Sequence, residues 1–102
     1  MKIDVENRSG VHVVRVSGER LEGEDHTLRQ TAKDLLDGRG ARIVIDLSAV
    51  KFINSSGISD LVMLTAQANQ HESHVVLAGP SAFIKGVLET TQLDRFFRVH
   101  AN

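Results

Sequence analysis

Apolar positions along this chain alternate between two rhythms, one of strand length and one of helical period. Val11, Val13, Val14 and Val16 crowd a β-branched run after Ser9-Gly10, so residues 1–6 and 11–17 predict a hairpin that Gly18 ends. From Asp25 onward Leu28, Thr31, Ala32, Leu35 and Leu36 recur at helical spacing, with Arg29, Lys33 and Asp37 off that face, and Gly38 and Gly40 stop the helix. Ile43-Val44-Ile45-Asp46-Leu47 is a near-continuous apolar run, the pattern of a central strand covered on both faces. Ile58, Leu61, Val62, Thr65 and Ala66 then mark one face of a second helix, over about residues 56–70. Val75-Val76-Leu77-Ala78 predicts another buried strand. After the Gly79-Pro80 turn, Ser81 is placed to cap a third helix whose inward side is Phe83, Ile84, Val87 and Leu88. Residues 96–100 predict a last strand, with Phe96-Phe97 sealing the sheet edge.

The resulting order is two strands, then helix, strand, helix, strand, helix and strand, an α/β sandwich on a mixed sheet. No repeat or linker interrupts it, so residues 1–102 are expected to form a single domain. Composition agrees, with 41% hydrophobic and 25% charged residues, as in ordinary globular proteins. The formal net charge of −1 supplies no field to gather nucleic acid or an anionic membrane. With no cysteine there is no disulfide framework or thiolate metal site, which fits the cytoplasm. Residues 1–10 carry Lys2, Asp4, Glu6 and Arg8 and contain no apolar stretch of signal-peptide or spanning length, so no direct membrane insertion is expected.

Most of the chemical information lies between the central strand and the second helix. Asn54, Ser55 and Ser56 are all good N-cap residues, and Asp60, read as part of the first turn, complements the positive end of the helix dipole. A helix start offers unpaired N–H groups and partial positive charge, and so accommodates a phosphate better than most surface positions. Gly57 leaves the backbone uncovered there. The loop at the carboxyl end of a strand is also where ligands and partners dock in open α/β sheets. On these grounds alone the trio Ser55, Ser56 and Gly57 reads first as a plain helix cap and only second as a site.

The stretch Ile43-Val-Ile-Asp-Leu-Ser-Ala-Val-Lys-Phe-Ile-Asn-Ser-Ser-Gly-Ile-Ser-Asp-Leu-Val62 resembles the signature of STAS-domain anti-sigma factor antagonists. The likeness extends to Val14-Arg-Val-Ser-Gly-Glu19, to Val76-Leu-Ala-Gly-Pro80 and from Val87-Leu88 through Leu93. It implies the STAS fold, an α/β arrangement of a mixed four- to five-stranded sheet with three main helices packed against it. In that family the residue after an Asp, in Asp-Ser-Ser/Thr-Gly-Leu-Gly, is phosphorylated by the partner anti-sigma factor, a serine kinase; Ser55 matches that position. The implied cycle is one of partner switching. The unphosphorylated antagonist binds the anti-sigma factor, phosphate breaks the complex, and a serine phosphatase restores it.

Two residues depart from that pattern: Asn54 replaces the Asp, and Ser59 replaces the second Gly. Asn keeps a capping oxygen, and it removes a carboxylate that at about 4 Å would repel a phosphate by roughly 1 to 4 kcal/mol per unit charge. The expected partner-binding residues are Asn54, Ser55, Ser56, Gly57, Ser59 and Met63, with phosphorylation at Ser55. Met63 falls roughly 80 to 100 degrees from Ile58 and Val62 around the helix, which reads either as partner surface or as filling at the core edge.

Other chemistries find little support. His71 and His74 lie near each other without further metal ligands, and no Gly-x-Ser-x-Gly elbow or nearby base accompanies Ser55. No catalytic residue, metal or cofactor is therefore expected. Arg39-Gly40-Ala41-Arg42 reads as a soluble αβ turn, and Glu19, Glu22, Glu24 and Asp25 as a charged loop. A different class of function stays open beside the switch: a STAS subunit that braces a stressosome-like or membrane transport assembly without switching.

Overall fold

Val and Ile runs favour extended backbone because a branched Cβ restricts χ1 and packs well on a pleated surface. A computed structural model of the chain describes residues 2–18, 20–21, 27–35 and 40–100. Strands β1 (Lys2–Arg8) and β2 (Val11–Ser17) form an antiparallel hairpin, with Glu6 opposite Val13. Its two-residue turn puts Ser9 and Gly10 at φ 52° and 87°, and Asn7 Oδ1 accepts the Gly10 N–H at 3.1 Å. Positive φ at both positions gives a turn whose twist matches that of the strands.

The remaining strands of the main sheet are β4 (Arg42–Asp46), β6 (His74–Ala78) and β7 (Arg98–His100). The sheet has five strands in the order β1-β2-β4-β6-β7, and every pair after the hairpin is parallel. A second, two-stranded sheet joins β3 (Arg20–Leu21) to β5 (Phe52–Ile53) in parallel. The helices are α1 (Thr27–Leu35), α2 (Ser55–Gln70) and α3 (Ala82–Thr90), followed by a 3-10 turn over Leu93–Arg95. The expected mixed sheet of four to five strands has five, and the three main helices are present, with the β3–β5 pair and the 3-10 turn added. The 3-10 turn takes up the residues before β7, so the last strand starts at Arg98 instead of Phe96.

One hydrophobic core joins the helices to the sheet. Val14, Val16, Ile43, Ile45, Val75 and Leu77 project from alternate positions of β2, β4 and β6 and pack with Leu28 of α1, Leu61, Leu64 and Ala68 of α2, and Ile84 and Leu88 of α3. The inner arc of α2 is rotated from the predicted one: Leu64 and Ala68 are buried, while Ile58 and Val62 are half-buried and Ala66 is exposed. Asp60 lies in the second turn, not the first, and is buried at 3% exposure. On α3, Phe83 points outward at 49% exposure, a correction to its predicted inward place; Ile84 and Leu88 alone are buried on that helix. Phe97 is buried and Phe96, edge-on to it at 5.1 Å, is exposed. Glu19, Glu22, Glu24, Asp25, Leu36, Asp37, Gly38 and Arg39 lie outside the described residues.

The central strands depart from prediction in a further respect. Ile43 and Ile45 are fully buried, but Val44 between them is only half-buried and stands outside the core, as does Val76 of β6. Among the described residues the helices cover one face of the sheet. The other face carries a chain of ion pairs: Glu6 meets Arg8 at 3.0 Å and Arg15 at 3.2 Å, and Arg15 reaches Asp46 at 3.6 Å. The hydrogen bond from Arg8 is the largest influence on Glu6 and lowers its pKa. For Asp46, partial burial raises the pKa, but hydrogen bonds from Ser48 and the charge of Arg15 together outweigh it and leave the carboxyl below its ordinary range.

Candidate functional site

The approach to the second helix is held at each step. As β4 ends, Asp46 Oδ1 accepts the Ser48 N–H at 3.0 Å and the Ser48 hydroxyl at 2.6 Å, closing a local turn. Leu47 N–H donates to Ala78 O at 2.9 Å, and Val50 N–H donates to Leu47 O at 2.9 Å. Leu47, Val50 and Ile53 are buried and anchor the loop from below. The start of α2 therefore rests on a fixed base.

Asn54 is the N-cap of α2. Its backbone is extended (φ −102°, ψ 179°), its Oδ1 accepts the Gly57 N–H at 2.8 Å, and its carbonyl accepts the Ile58 N–H at 3.0 Å. The helix thus begins one residue earlier than predicted, and Ser55 is its first residue. Asn54, Ser55, Ser56 and Ser59 are exposed, while Gly57 is buried. Met63 is 42% exposed on the outer side of α2, so it does not fill the core. The structure brings Ser55, Ser56, Ser59 and Met63 onto the surface of one helix and turns Gly57 inward.

Removing the cap has a defined expected effect. Asn54→Ala leaves the Gly57 N–H without its side-chain acceptor and lowers unfolding stability by about 1 kcal/mol, read in urea titration. An unchanged denaturation midpoint would show that water replaces the cap at no cost.

The outer side of α2 is unusual in charge. At the chain's share of 25% charged residues, 16 helical positions would hold four; α2 holds one, Asp60, and that one is buried. Exposed positions of the helix are Ser, Met, Ala, Gln and Asn only. Beside this face stands an aromatic pair that the periodicity did not reveal. Phe52 of β5, 47% exposed, meets Phe83 of α3 edge-on at 5.5 Å between ring centres. Phe52 was hidden in sequence because the two-residue β5 is too short to show alternation, and Phe83 because it shares its stretch of helix with the core positions Ile84 and Leu88. The sole advance signal was for Phe52, an aromatic residue just before Asn54.

The sequence profile of the STAS domain matches residues 2–102. The chain belongs to the STAS domain family. Among solved structures, an anti-sigma-factor antagonist (STAS) domain protein from Planctomyces limnophilus is similar to it at TM-score 0.86 and 25% identity, over 98% of this chain and 90% of that one. The anti-sigma factor antagonist SpoIIAA of Bacillus shares the fold in its unphosphorylated form, at TM-score 0.72 and 16% identity, with 99% and 88% of the two chains covered. Its phosphorylated form matches at TM-score 0.70 and 18% identity, over 96% and 90%. A sulfate transporter family protein from Wolinella succinogenes has the same fold at TM-score 0.74 and 16% identity, over 95% and 81%. The STAS fold is thus found both in anti-sigma factor antagonists and in a transporter family protein. Among the described residues of this STAS domain no helix is long and apolar enough to cross a membrane, and no three His, Asp or Glu side chains gather as metal ligands.

Proposed function

We propose that this STAS domain is an anti-sigma factor antagonist, a non-catalytic cytoplasmic switch governed by phosphate on Ser55. With the Ser55 hydroxyl free, the outer face of α2 binds an anti-sigma factor that has serine kinase activity. That kinase phosphorylates Ser55, the complex separates, and a serine phosphatase resets it. Asn54, Ser56, Ser59 and Met63 accompany Ser55 in the docking surface, Met63 supplying apolar contact, while Gly57, expected there from the sequence, is buried on the inner side of the helix start and stays outside it.

The observation that carries this reading is Ser55 exposed as the first residue of a helix whose whole outer side is uncharged. Such a face can be desolvated against a partner without stranding an ion. A phosphoserine would then be the sole formal charge on it, about −1.5 to −2, with three acceptor oxygens. Burying that dianion without a cation costs several kcal/mol, and each 1.4 kcal/mol is tenfold in affinity. The free N–H groups at the helix start accommodate the phosphate in the separated protein, so the domain itself need not rearrange. The test is incubation with ATP and an anti-sigma factor of the serine-kinase type. Mass spectrometry should show one phosphate gained, and Ser55→Ala should gain none; label on another residue would overturn the assignment.

A further inference from the structure

We infer that the bare face of the main sheet is a second protein-docking surface, built for a partner segment that combines apolar side chains with carboxylates. The strand register defines this face. Glu6, Val13, Val44, Val76 and Arg98 lie side by side across all five strands, and Arg8, Val11, Arg42 and His74 form the neighbouring row. Val11, Val13, Val44 and Val76 are half-buried only by their neighbours and belong to no part of the core. They form a continuous β-branched floor, with Arg42, His74 and Arg98 at its rim.

Parallel strands are ordinarily covered on both faces, because crossover helices lie on each side; a sheet with one wet face is normally antiparallel and alternates apolar with polar residues. Here β2, β4, β6 and β7 are mutually parallel, yet among the described residues one face has no second layer. Its four valines occupy the positions that a solvated strand gives to polar side chains. Side chains of this kind, left without a second layer, offer a partner an apolar floor to cover.

Charge decides what sits there. Of the acidic groups on the face, Glu6 is engaged by Arg8 and Arg15 and Asp46 by Arg15, and Asp4 stands opposite Arg15 on β1, at the far end of the strands from Arg42 and Arg98. Arg42 and Arg98 have no ion-pair partner among the described residues and flank the valines from β4 and β7. The chain as a whole carries −1, so this corner is locally cationic against the overall sign. Two arginines around an apolar floor fit carboxylates around apolar side chains, and they are too few and too far from a continuous basic stripe to hold a nucleic acid backbone. Placement separates this face from the Ser55 surface. Arg42, His74 and Arg98 are the first residues of their strands, whereas Ser55 lies beyond the last residue of β4 and on the helical layer. Both surfaces can be occupied at once.

The test uses the full chain, labelled with nitrogen-15, titrated with a synthetic 12-residue peptide of alternating Leu and Glu and, separately, with its Leu and Lys counterpart. The Glu peptide should give saturable shifts at the amides of Val11, Val44 and Val76 and leave α2 unmoved. Joint Arg42→Glu and Arg98→Glu substitution should weaken it by about fivefold or more and let the Lys peptide bind in its place. Both positions are exposed and outside the core, and the dispersion of the spectrum reports whether the variant is folded. Ser55→Asp should bind the Glu peptide as the natural chain does, so failure here and failure of the Ser55 switch are separate results. Equal binding of both peptides, shifts confined to α2, or no saturable shift would overturn the proposal. So would capture of the face by a second copy, seen as a dimer in sedimentation that Val44→Glu dissolves, or by phosphatidylglycerol vesicles.

Discussion

Ser55→Asp is expected to lower affinity for the kinase-type anti-sigma factor by about a hundredfold while leaving the free domain at least as stable as the natural one. The two effects have opposite signs for one reason. In the free protein the new carboxylate sits at the start of α2, where unpaired N–H groups and the helix dipole favour negative charge by roughly 0.3 to 1 kcal/mol. In the complex the same charge is buried against a neutral face, which costs about 3 kcal/mol or more when no cation answers it. Calorimetric titration with the anti-sigma factor and thermal unfolding of the free variant, measured together, exclude misfolding as the cause of lost binding. Ser55→Ala should bind about as tightly as the natural chain, since the hydroxyl is exposed and takes no part in the cap. An Asp variant that binds undiminished would sink the switch.

Leu64→Ala is the second large effect, and it falls on stability. Leu64 is 1% exposed and meets the sheet within the single core, so truncation removes buried methyl groups and leaves a cavity beneath α2. The expected loss is about 3 kcal/mol, within the range for buried leucines, and more than about 10 °C in unfolding temperature for a domain of this size. Met63→Ala, one residue earlier on the same helix, should change stability by less than about 0.5 kcal/mol because Met63 is 42% exposed. A similar loss for both variants would mean that α2 is seated differently.

The site was legible where its chemistry is local. Asn54 was readable as a cap because a side-chain oxygen before an apolar helical period can close only on the next few N–H groups, and the structure has that bond to Gly57. Ser81 was readable for the same reason, its Oγ accepting the Ile84 N–H at 3.3 Å. The exposure of Ser55 follows from its place at the helix start. The aromatic pair of Phe52 and Phe83 was not legible, because 31 positions separate two residues whose contact depends on how α3 docks beside β5. Nor was the burial of Asp60, which lies on the inner arc with Gly57, Leu61 and Leu64. A carboxylate reads as surface in any local window, yet the rotation of a helix is set by what it packs on.

Sequence alone determined the strands of the main sheet and the three helices, where α3 begins, where α2 begins to within one residue, and that Ser55 stands at a helix start, since each depends on residues within one or two turns of one another. Tertiary structure decided which arc of α2 is inward, which phenylalanines are exposed, and that among the described residues the parallel strands carry a layer on one face only. The physical reason lies in the apolar run of β4. Alternate residues Ile43 and Ile45 face the helices while Val44 faces away, and all three promote a strand equally. A β-branched side chain specifies extended backbone by its own geometry, but whether it is covered depends on another element having an apolar stripe to lay against it, and the three helices lay theirs on the same side.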